Sequence, residues 1–447
     1  MARGNKILAV ITTYNRVAFI KRLLMSLSLI SGPKFDVLII DDCSDDDYQS
    51  LVADRQYGFS LDYIRNHHQS GPIFSLNLSI DYAVNKDYDY LWWLNDDSVV
   101  AGGTLEKLLS VLTESEMVAV AGSAVYDVDY PSHLISAGYF FDFDKLMPRI
   151  NFSSQSVDYV STCSDLVKVA VLKKTGLRFD SAYFIRSYDI DFYFRLKKYG
   201  YQIIAVKTAP VYHPNFINDP ADKQYYNLRN NCYFCLKFNQ FKSKQQTAVF
   251  HWLAKARKLY HQEYSLEAAT FYWSVVDFFR SRLGQIDFYG QAGFELVDGL
   301  DDQRVIFPYF GQTAELAMIG RWLKQRASDC SLTVIFPAGQ PVVKLSAKQN
   351  NIILPAGFFY RLIAYLTLIG RFDYIIIPGG IRNLIHPFLA DRKIKLEKNN
   401  GRFYAAGISW LDYYWFDLKI YWLILAIRIK RYFFQTWRRQ LLKQSNH

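Results

Sequence analysis

The chain is 447 residues long, 51% hydrophobic and 17% aromatic, with 52 Lys and Arg against 42 Asp and Glu for a formal charge of +10. That composition excludes a disordered chain and suits two domains or one large one, each with a full core. Five scattered cysteines, an odd number, are unlike the even framework of a small secreted domain and point to a reducing compartment.

In MARGNKILAVITTYNR no apolar segment is long enough for a signal sequence, so the stretch reads as a first strand. RVAFIKRLLMSLSLI has the apolar spacing of a helix, FDVLIIDD reads as a strand, SLNLSIDYAVN as a helix and YDYLWWLNDD as a strand. This βαβαβ series predicts a largely parallel sheet with helices on its faces. Ligands bind such sheets at the carboxyl ends of the strands, where TTYNR, DDCSDDD and NDDS collect at one mouth. GGTLEKLLSVL then turns into a helix and MVAVAGSAVYD is another strand, followed by a loop-like stretch over 131–160 with aromatic insertions. Residues 182–200, AYFIRSYDIDFYFRLKKYG, hold a helix closed by Gly200, and YQIIAVKTAPVYHPNF is a further strand and exit loop. The first unit, 1–225, ends there, and 226–284 reads as a helical connector. A second α/β series, with RVIFPYF, TAELAMIGRWLKQRA, LTVIFPAG and FDYIIIPGG, forms a smaller accessory domain over 285–405.

From Leu418 to His447 there are seven Lys or Arg and no Asp or Glu. Nucleic acid is the default partner of a basic patch. Here the cations alternate with Trp, Tyr, Phe and Leu, which favours a basic amphipathic helix over 406–447 lying in the headgroup layer of an anionic membrane and leaves no nucleic-acid partner expected. No run approaches the roughly 20 apolar residues that span a bilayer.

Three acid sites stand at successive sheet ends: Asp41 and Asp42, Asp96 and Asp97, and Asp189 and Asp191. Each alone is an ordinary loop or helix-cap feature. Buried adjacent carboxylates are costly unless something positive meets them. Cys232 and Cys235 lack the second pair or the His spacing of a zinc finger and carry no metal expectation.

The order VITTYNR, LIIDDCSDD, RNHHQSGPIFSLN, LWWLNDDS, SYDIDFYFRL and PVYHPNF resembles the inverting nucleotide-sugar glycosyltransferases of family 2, over roughly the first 225–230 residues. The resemblance implies the Rossmann-like GT-A fold and a Mn²⁺ or Mg²⁺ site beneath a nucleotide diphosphate. It implies Asp97 as metal ligand, closed by His213, whose imidazole suits Mn²⁺ better than Mg²⁺. Asn95 stands where the family often has its first acid, and Asn95 or Asp96 then falls on the ribose or on metal-bound water. Thr12, Thr13, Tyr14 and Arg16 correspond to the loop over base and phosphates, Asp41 to the acid on base or ribose, and Arg65, Asn66, Gly71 and Asn77 to the next nucleotide segment. Arg229 is placed to reach the diphosphate from a mobile loop. Asp189 occupies the general-base position, with Tyr188 where the family has Glu, and Asp191 holds the acceptor or Arg195.

The expected activity is therefore metal-dependent, inverting transfer of galactofuranose, rhamnose or a hexose. The donor is a UDP-sugar, or a dTDP-sugar, and the acceptor a hydroxyl of a growing lipid-linked surface polysaccharide of O-antigen type. The expected location is cytoplasmic, peripheral on the inner face of the cell membrane, with a homo-oligomer left open. The alternative is a non-catalytic glycan-binding or membrane scaffold protein on a degenerate GT-A fold, which Asn95 and Tyr188 keep in play. A nucleotidyltransferase fits poorly, because ITTYNRV lacks a glycine-rich phosphate loop.

Overall fold

A computed structural model describes residues 5–49, 51, 57–153, 155–215, 220–261, 265–291, 295–296, 304–308, 331–337, 349–354, 372–377, 390–396, 403–406, 410–430 and 438. Its first half alternates strand and helix: β1 (Ile7–Thr13), α1 (Val17–Ser28), β2 (Phe35–Asp41), β3 (Leu61–Arg65), α2 (Pro72–Asn85), β4 (Tyr90–Asn95), β5 (Val99–Val100), α3 (Thr104–Glu114) and β6 (Val118–Asp127). The aromatic stretch expected as loop contains short strands, β7 (Leu134–Ser136), β8 (Tyr139–Asp142), β9 (Met147–Ile150) and β10 (Gln155–Ser156). Then come β11 (Ser164–Lys168), α4 (Val169–Thr175), α5 (Tyr188–Lys198) and β12 (Gln202–His213). A ten-stranded sheet runs β10-β12-β6-β11-β4-β1-β2-β3, with β5 on β12 and β7 on β6. The β1–β2, β2–β3, β1–β4 and β6–β12 pairings are parallel, and β11 is inserted antiparallel between β4 and β6.

Central parallel strands are covered on both faces and therefore lack polar alternation. In β1, Leu8 and Val10 face a core built with α2 and α5, while Ile7, Ala9 and Ile11 face another built with α1 and α3. The two tryptophans of β4 divide in the same way. Burying an indole leaves an N–H to satisfy, and Trp92 donates to Ser164 Oγ at 3.1 Å and Trp93 to Ser79 Oγ at 2.9 Å. The register sets Thr12 opposite Asn95 and Thr13 opposite Asp41, so the acid-bearing strand ends meet along one edge.

Helices α6 (Ala221–Lys237), α7 (Ser243–His261), α8 (Ser265–Phe279) and α9 (Phe288–Gln291) follow. The structure differs here from the expected division at 225. Helix α6 crosses that point, and its Cys232, Tyr233, Phe234, Cys235 and Leu236 are buried in the same core as Trp93 and Phe192. That run of five apolar and aromatic residues packs into the core, so the helix completes the first unit and does not merely connect.

The second series contributes β13 (Glu295–Leu296), β14 (Arg304–Pro308), β15 (Ser331–Pro337), β16 (Gln349–Leu354), β17 (Phe372–Ile377), β18 (Ala390–Leu396) and β19 (Phe403–Ala406), in the order β13-β19-β18-β17-β14-β15-β16. The expected helix TAELAMIGRWLKQRA lies outside the described residues.

The last helix, α10 (Trp410–Lys430), corrects the expectation of an amphipathic tail. Phe416, Ile420 and Ile427 are buried, yet Trp415, Leu418, Tyr421, Trp422 and Leu425 are exposed, so apolar side chains occupy two faces. Of the rest of the expected 406–447 helix, only Ala406, at the end of β19, and Arg438 are described, and the Arg438 guanidinium bonds the carbonyls of Leu236 and Lys237 at the end of α6. Among the described residues no helix is long and apolar enough to cross a membrane.

Trp93→Ala should cost about 3–5 kcal/mol of stability, because the site is walled by Phe179 and Phe192 and collapses little. A urea titration followed by far-UV circular dichroism measures it.

Candidate active site

The loop after β1 is stitched to the loop after β2 before any charge is considered. Asn15 sits at φ 53. Its amide N–H donates to Ser44 Oγ at 2.8 Å, and its side-chain oxygen accepts from the Asp45 N–H at 2.8 Å. The Arg16 N–H donates to the buried Tyr48 hydroxyl at 2.9 Å, and that hydroxyl lies 3.2 Å from Thr13 Oγ1. This holds Arg16 against the acids that end β4. Its Nη1 donates to Asp97 Oδ2 at 2.8 Å and Asp96 Oδ1 at 3.2 Å, while Thr13 Oγ1 donates to Asp96 Oδ2 at 3.0 Å.

The two neighbouring carboxyls are driven apart. Burial pushes Asp96 up to about 6, with the charge of Asp97 adding to it and Arg16 opposing. Burial acts on Asp97 in the same direction, but His213 and Arg16 outweigh it and hold that carboxyl at about 2. Asp97 is therefore the permanent anion of the pair.

Its Oδ1 is buried and lies 2.9 Å from Nε2 of His213. Nδ1 of that ring is 2.8 Å from the Pro214 carbonyl, a contact that places the proton of the neutral ring on Nδ1. In that tautomer Nε2, with Asn95 Nδ2 3.3 Å away, and Asp97 Oδ1 are neighbouring electron-pair donors that a cation can bridge; with Nε2 protonated the ring instead donates to Oδ1, the contact that lowers the Asp97 carboxyl. One nitrogen and one oxygen donor fit Mn²⁺. Among the described residues no group of three or more His, Cys, Asp or Glu converges, so the remaining positions of such an ion fall to phosphate oxygens and water.

A cleft of about 410 Å³ opens above these groups. Of the residues singled out in the sequence, Thr12, Thr13, Tyr14, Arg16, Asp42, Gly71, Asn95, Asp96, Asp97, Tyr188 and His213 line it. Asp189 stands next to it, beside the lining residues Arg186 and Tyr188 at the start of α5. The half-buried Asp189 has its carboxyl pushed up to about 6 by burial, against the hydrogen bond from the Ile190 N–H and the charge of Arg186. Arg186 and Ser187 both have positive φ, 66 and 60. Such a strained turn persists only when its surroundings fix it. Asn230 of α6 donates to the carbonyls of Ile185 at 2.8 Å and Arg186 at 3.0 Å, and Ser187 Oγ donates to Asn231 Oδ1 at 2.8 Å.

The other singled-out residues lie off the cleft lining. Asp41 is buried, accepts from the Ser44 N–H and the Tyr63 hydroxyl and pairs ionically with Arg65, while Arg65 donates to the Ser44 carbonyl. Asn77 bonds both the N–H and the carbonyl of Phe179. Asp191 is buried between Arg195 and Lys237, each at 2.8 Å, so it holds Arg195. Arg229 is a correction: it lies within α6 and not in a loop, fully buried, with Nη2 on the Gly284 carbonyl at 3.0 Å. Its polar neighbours in YNLRNN resemble a loop because the helix spends them on buried contacts.

Sequence reasoning noted Asp42 only as one of an acid pair, giving the nucleotide role to Asp41, and passed over Arg186 and Lys223; all three line the cleft. Asp42 receives Asn66 Nδ2 and the N–H groups of Ser70 and Gly71, all at 2.8 Å. The signal for it was present, since Thr13 faces Asp41 and the next residue is the first beyond the strand. No comparable pattern marked Arg186 or Lys223. Gly71 is required twice: its φ is 82, and a Cβ there would stand 2.7 Å from the Phe184 ring.

Comparison with known proteins locates the same region. The family Glycosyl transferase family 2 matches residues 8–164. An uncharacterized glycosyltransferase of Haemophilus influenzae is 32% identical over 106 residues, 24% of this chain and 34% of that protein. One of Rickettsia conorii is 28% identical over 113 residues, 25% of this chain and 18% of that protein. The matches thus span about a third of the first relative and less of the second. Among solved structures, a mannosyltransferase of Pyrobaculum calidifontis in complex with GDP-Man and Mn²⁺ has a TM-score of 0.42 at 13% identity, covering 65% of this chain and 79% of that one. S. aureus TarS in complex with UDP has a TM-score of 0.42 at 18% identity, covering 62% and 80%.

Arg16→Met should raise the Asp97 carboxyl from about 2 toward its ordinary 3.8, as read by carboxyl NMR. A depressed carboxyl contributes stability that is present above the ordinary value and lost as pH falls through the folded value. The variant should be less stable than the parent at neutral pH, and the part of that deficit due to Asp97 should vanish below about pH 2. Residues 8–164 match Glycosyl transferase family 2, and the mixed sheet they begin, with helices on both faces, has the α/β GT-A fold.

Proposed function

We propose that the cleft transfers a sugar from a nucleotide-diphosphate donor to an acceptor hydroxyl with inversion at the anomeric carbon. The observation that carries this reading is the unequal basicity of two carboxyls at the site, Asp97 held at about 2 beside His213 and Asp189 pushed up to about 6 by burial. Asp97 and His213 would hold a divalent ion, Mn²⁺ in preference to Mg²⁺, which supplies positive charge to the leaving diphosphate. Arg16, Arg186 and Lys223 add cationic groups around the same cleft. Thr12, Thr13 and Tyr14 border the nucleotide side, with Asp42 in the role first given to Asp41.

Asp189 takes the proton from the acceptor hydroxyl as it attacks opposite the leaving group. A carboxyl raised to about 6 is a stronger base than an ordinary one and still mostly ionised at neutral pH. The resemblance of WWLNDDS and FIRSYDIDFYFRL to galactofuranosyl and rhamnosyl transferases supports one of those sugars, or a hexose, with UDP preferred over dTDP. The basic, aromatic tail supports a lipid-linked acceptor, a growing surface polysaccharide, met at the inner face of the cell membrane.

Asp189→Asn should lower turnover by about 10²–10⁴-fold while leaving donor binding intact. In the parent, kcat/KM should fall about tenfold per unit below pH 6, where the base is protonated. A parent chain with no transfer or donor hydrolysis across UDP- and dTDP-sugars would assign the cleft to binding alone. Asp97→Asn should remove the Mn²⁺-dependent part of UDP binding in calorimetry, and equal affinity with and without Mn²⁺ in the parent would refute the metal assignment.

A further inference from the structure

Helix α10 is anchored along one face and open along another. Phe416 stacks on Tyr260 with ring centres 4.1 Å apart, and Asp417 takes Arg257 at 2.9 and 3.1 Å and His261 at 2.9 Å. On the open side Trp415, Leu418, Trp422 and Leu425 follow at spacings of three and four, with Tyr421 beside them, each between 44% and 64% exposed. A groove of about 550 Å³ separates this face from α8, reaching down to Val276 and Phe279, with Arg280 and Lys419 on its lining. Both cations are exposed, and neither makes an ion pair among the described residues.

The occupant follows from charge and shape. Exposed indoles beside an apolar slot and cations match the boundary between lipid headgroups and acyl chains. A second copy would bring its own cations against the seven Lys and Arg that follow Leu418 with no acid among them, so like charge opposes self-association. We propose that this two-helix face docks on an anionic bilayer, with Trp415 and Trp422 at headgroup depth, an acyl chain in the groove, and Arg280 and Lys419 on lipid phosphate. The contact is then a wall of α8 and α10 together, where the sequence had suggested a single basic helix. It rests on the membrane-side part of the proposed function and is independent of the transfer chemistry.

The test is sedimentation of the full chain with vesicles of phosphatidylcholine alone and of phosphatidylcholine with phosphatidylglycerol. The parent should bind the anionic vesicles and bind the neutral ones at least tenfold more weakly. Trp415→Ser with Trp422→Ser, and separately Arg280→Glu with Lys419→Glu, should each lower anionic binding about tenfold or more. Unchanged binding in both double variants overturns the proposal. So does its loss on Arg431→Gln, Arg439→Gln and Lys443→Gln with the Trp pair indifferent, which would assign the contact to the tail. A parent dimer that the Trp variant converts to monomer, without vesicle binding in either, would assign the face to a second copy. Far-UV circular dichroism checks folding, and donor hydrolysis without vesicles should be unchanged in the Trp variant, so vesicle binding and transfer chemistry fail separately.

Discussion

Two adjacent carboxylates at the end of a buried strand need positive charge within reach, and the position of Arg16 is what meets that need. The guanidinium is directed by backbone, since its own N–H is held by the Tyr48 hydroxyl and the preceding Asn15 is locked to the loop after β2. One cation shared between two acids cannot hold both equally. Asp97, with His213 as second partner, keeps its charge, while Asp96 leans on Thr13 and is left nearer neutrality. The asymmetry of the cleft follows from that unequal sharing.

Much of this frame was legible in the sequence. Continuous apolar runs ending in TTYNR, DDCSDDD and NDDS mark strands covered on both sides and ending at a common edge, and the register bears that out. Which acid of each pair faces the cleft was harder. Side chains of successive residues diverge at a strand end, so Asp42 lines the cleft while Asp41 is absorbed by Tyr63 and Arg65 beneath it.

The illegible parts share a cause. Arg229, Asn230 and Asn231 look like a polar loop because a helix buried at a domain centre is usually apolar, yet each is spent on a carbonyl of another segment. Arg186 gave no signal, because its place depends on a left-handed turn that α6 enforces from about 44 residues away. In α10 the alternation of basic and aromatic residues suggested amphipathicity. Arg438, however, does different work, closing the end of α6.

Helix α6 also fixes how short a working piece of this chain can be. A fragment cut near residue 225, inside α6, would strip the cover from Phe141 and Phe194, which meet Phe234, and from Tyr183, which meets Tyr233. It would also release the turn bearing Arg186 and Ser187, whose restraints are Asn230 and Asn231. Truncation at that point should therefore yield insoluble material, and a boundary beyond α8 is the natural place to begin when the first half is expressed alone.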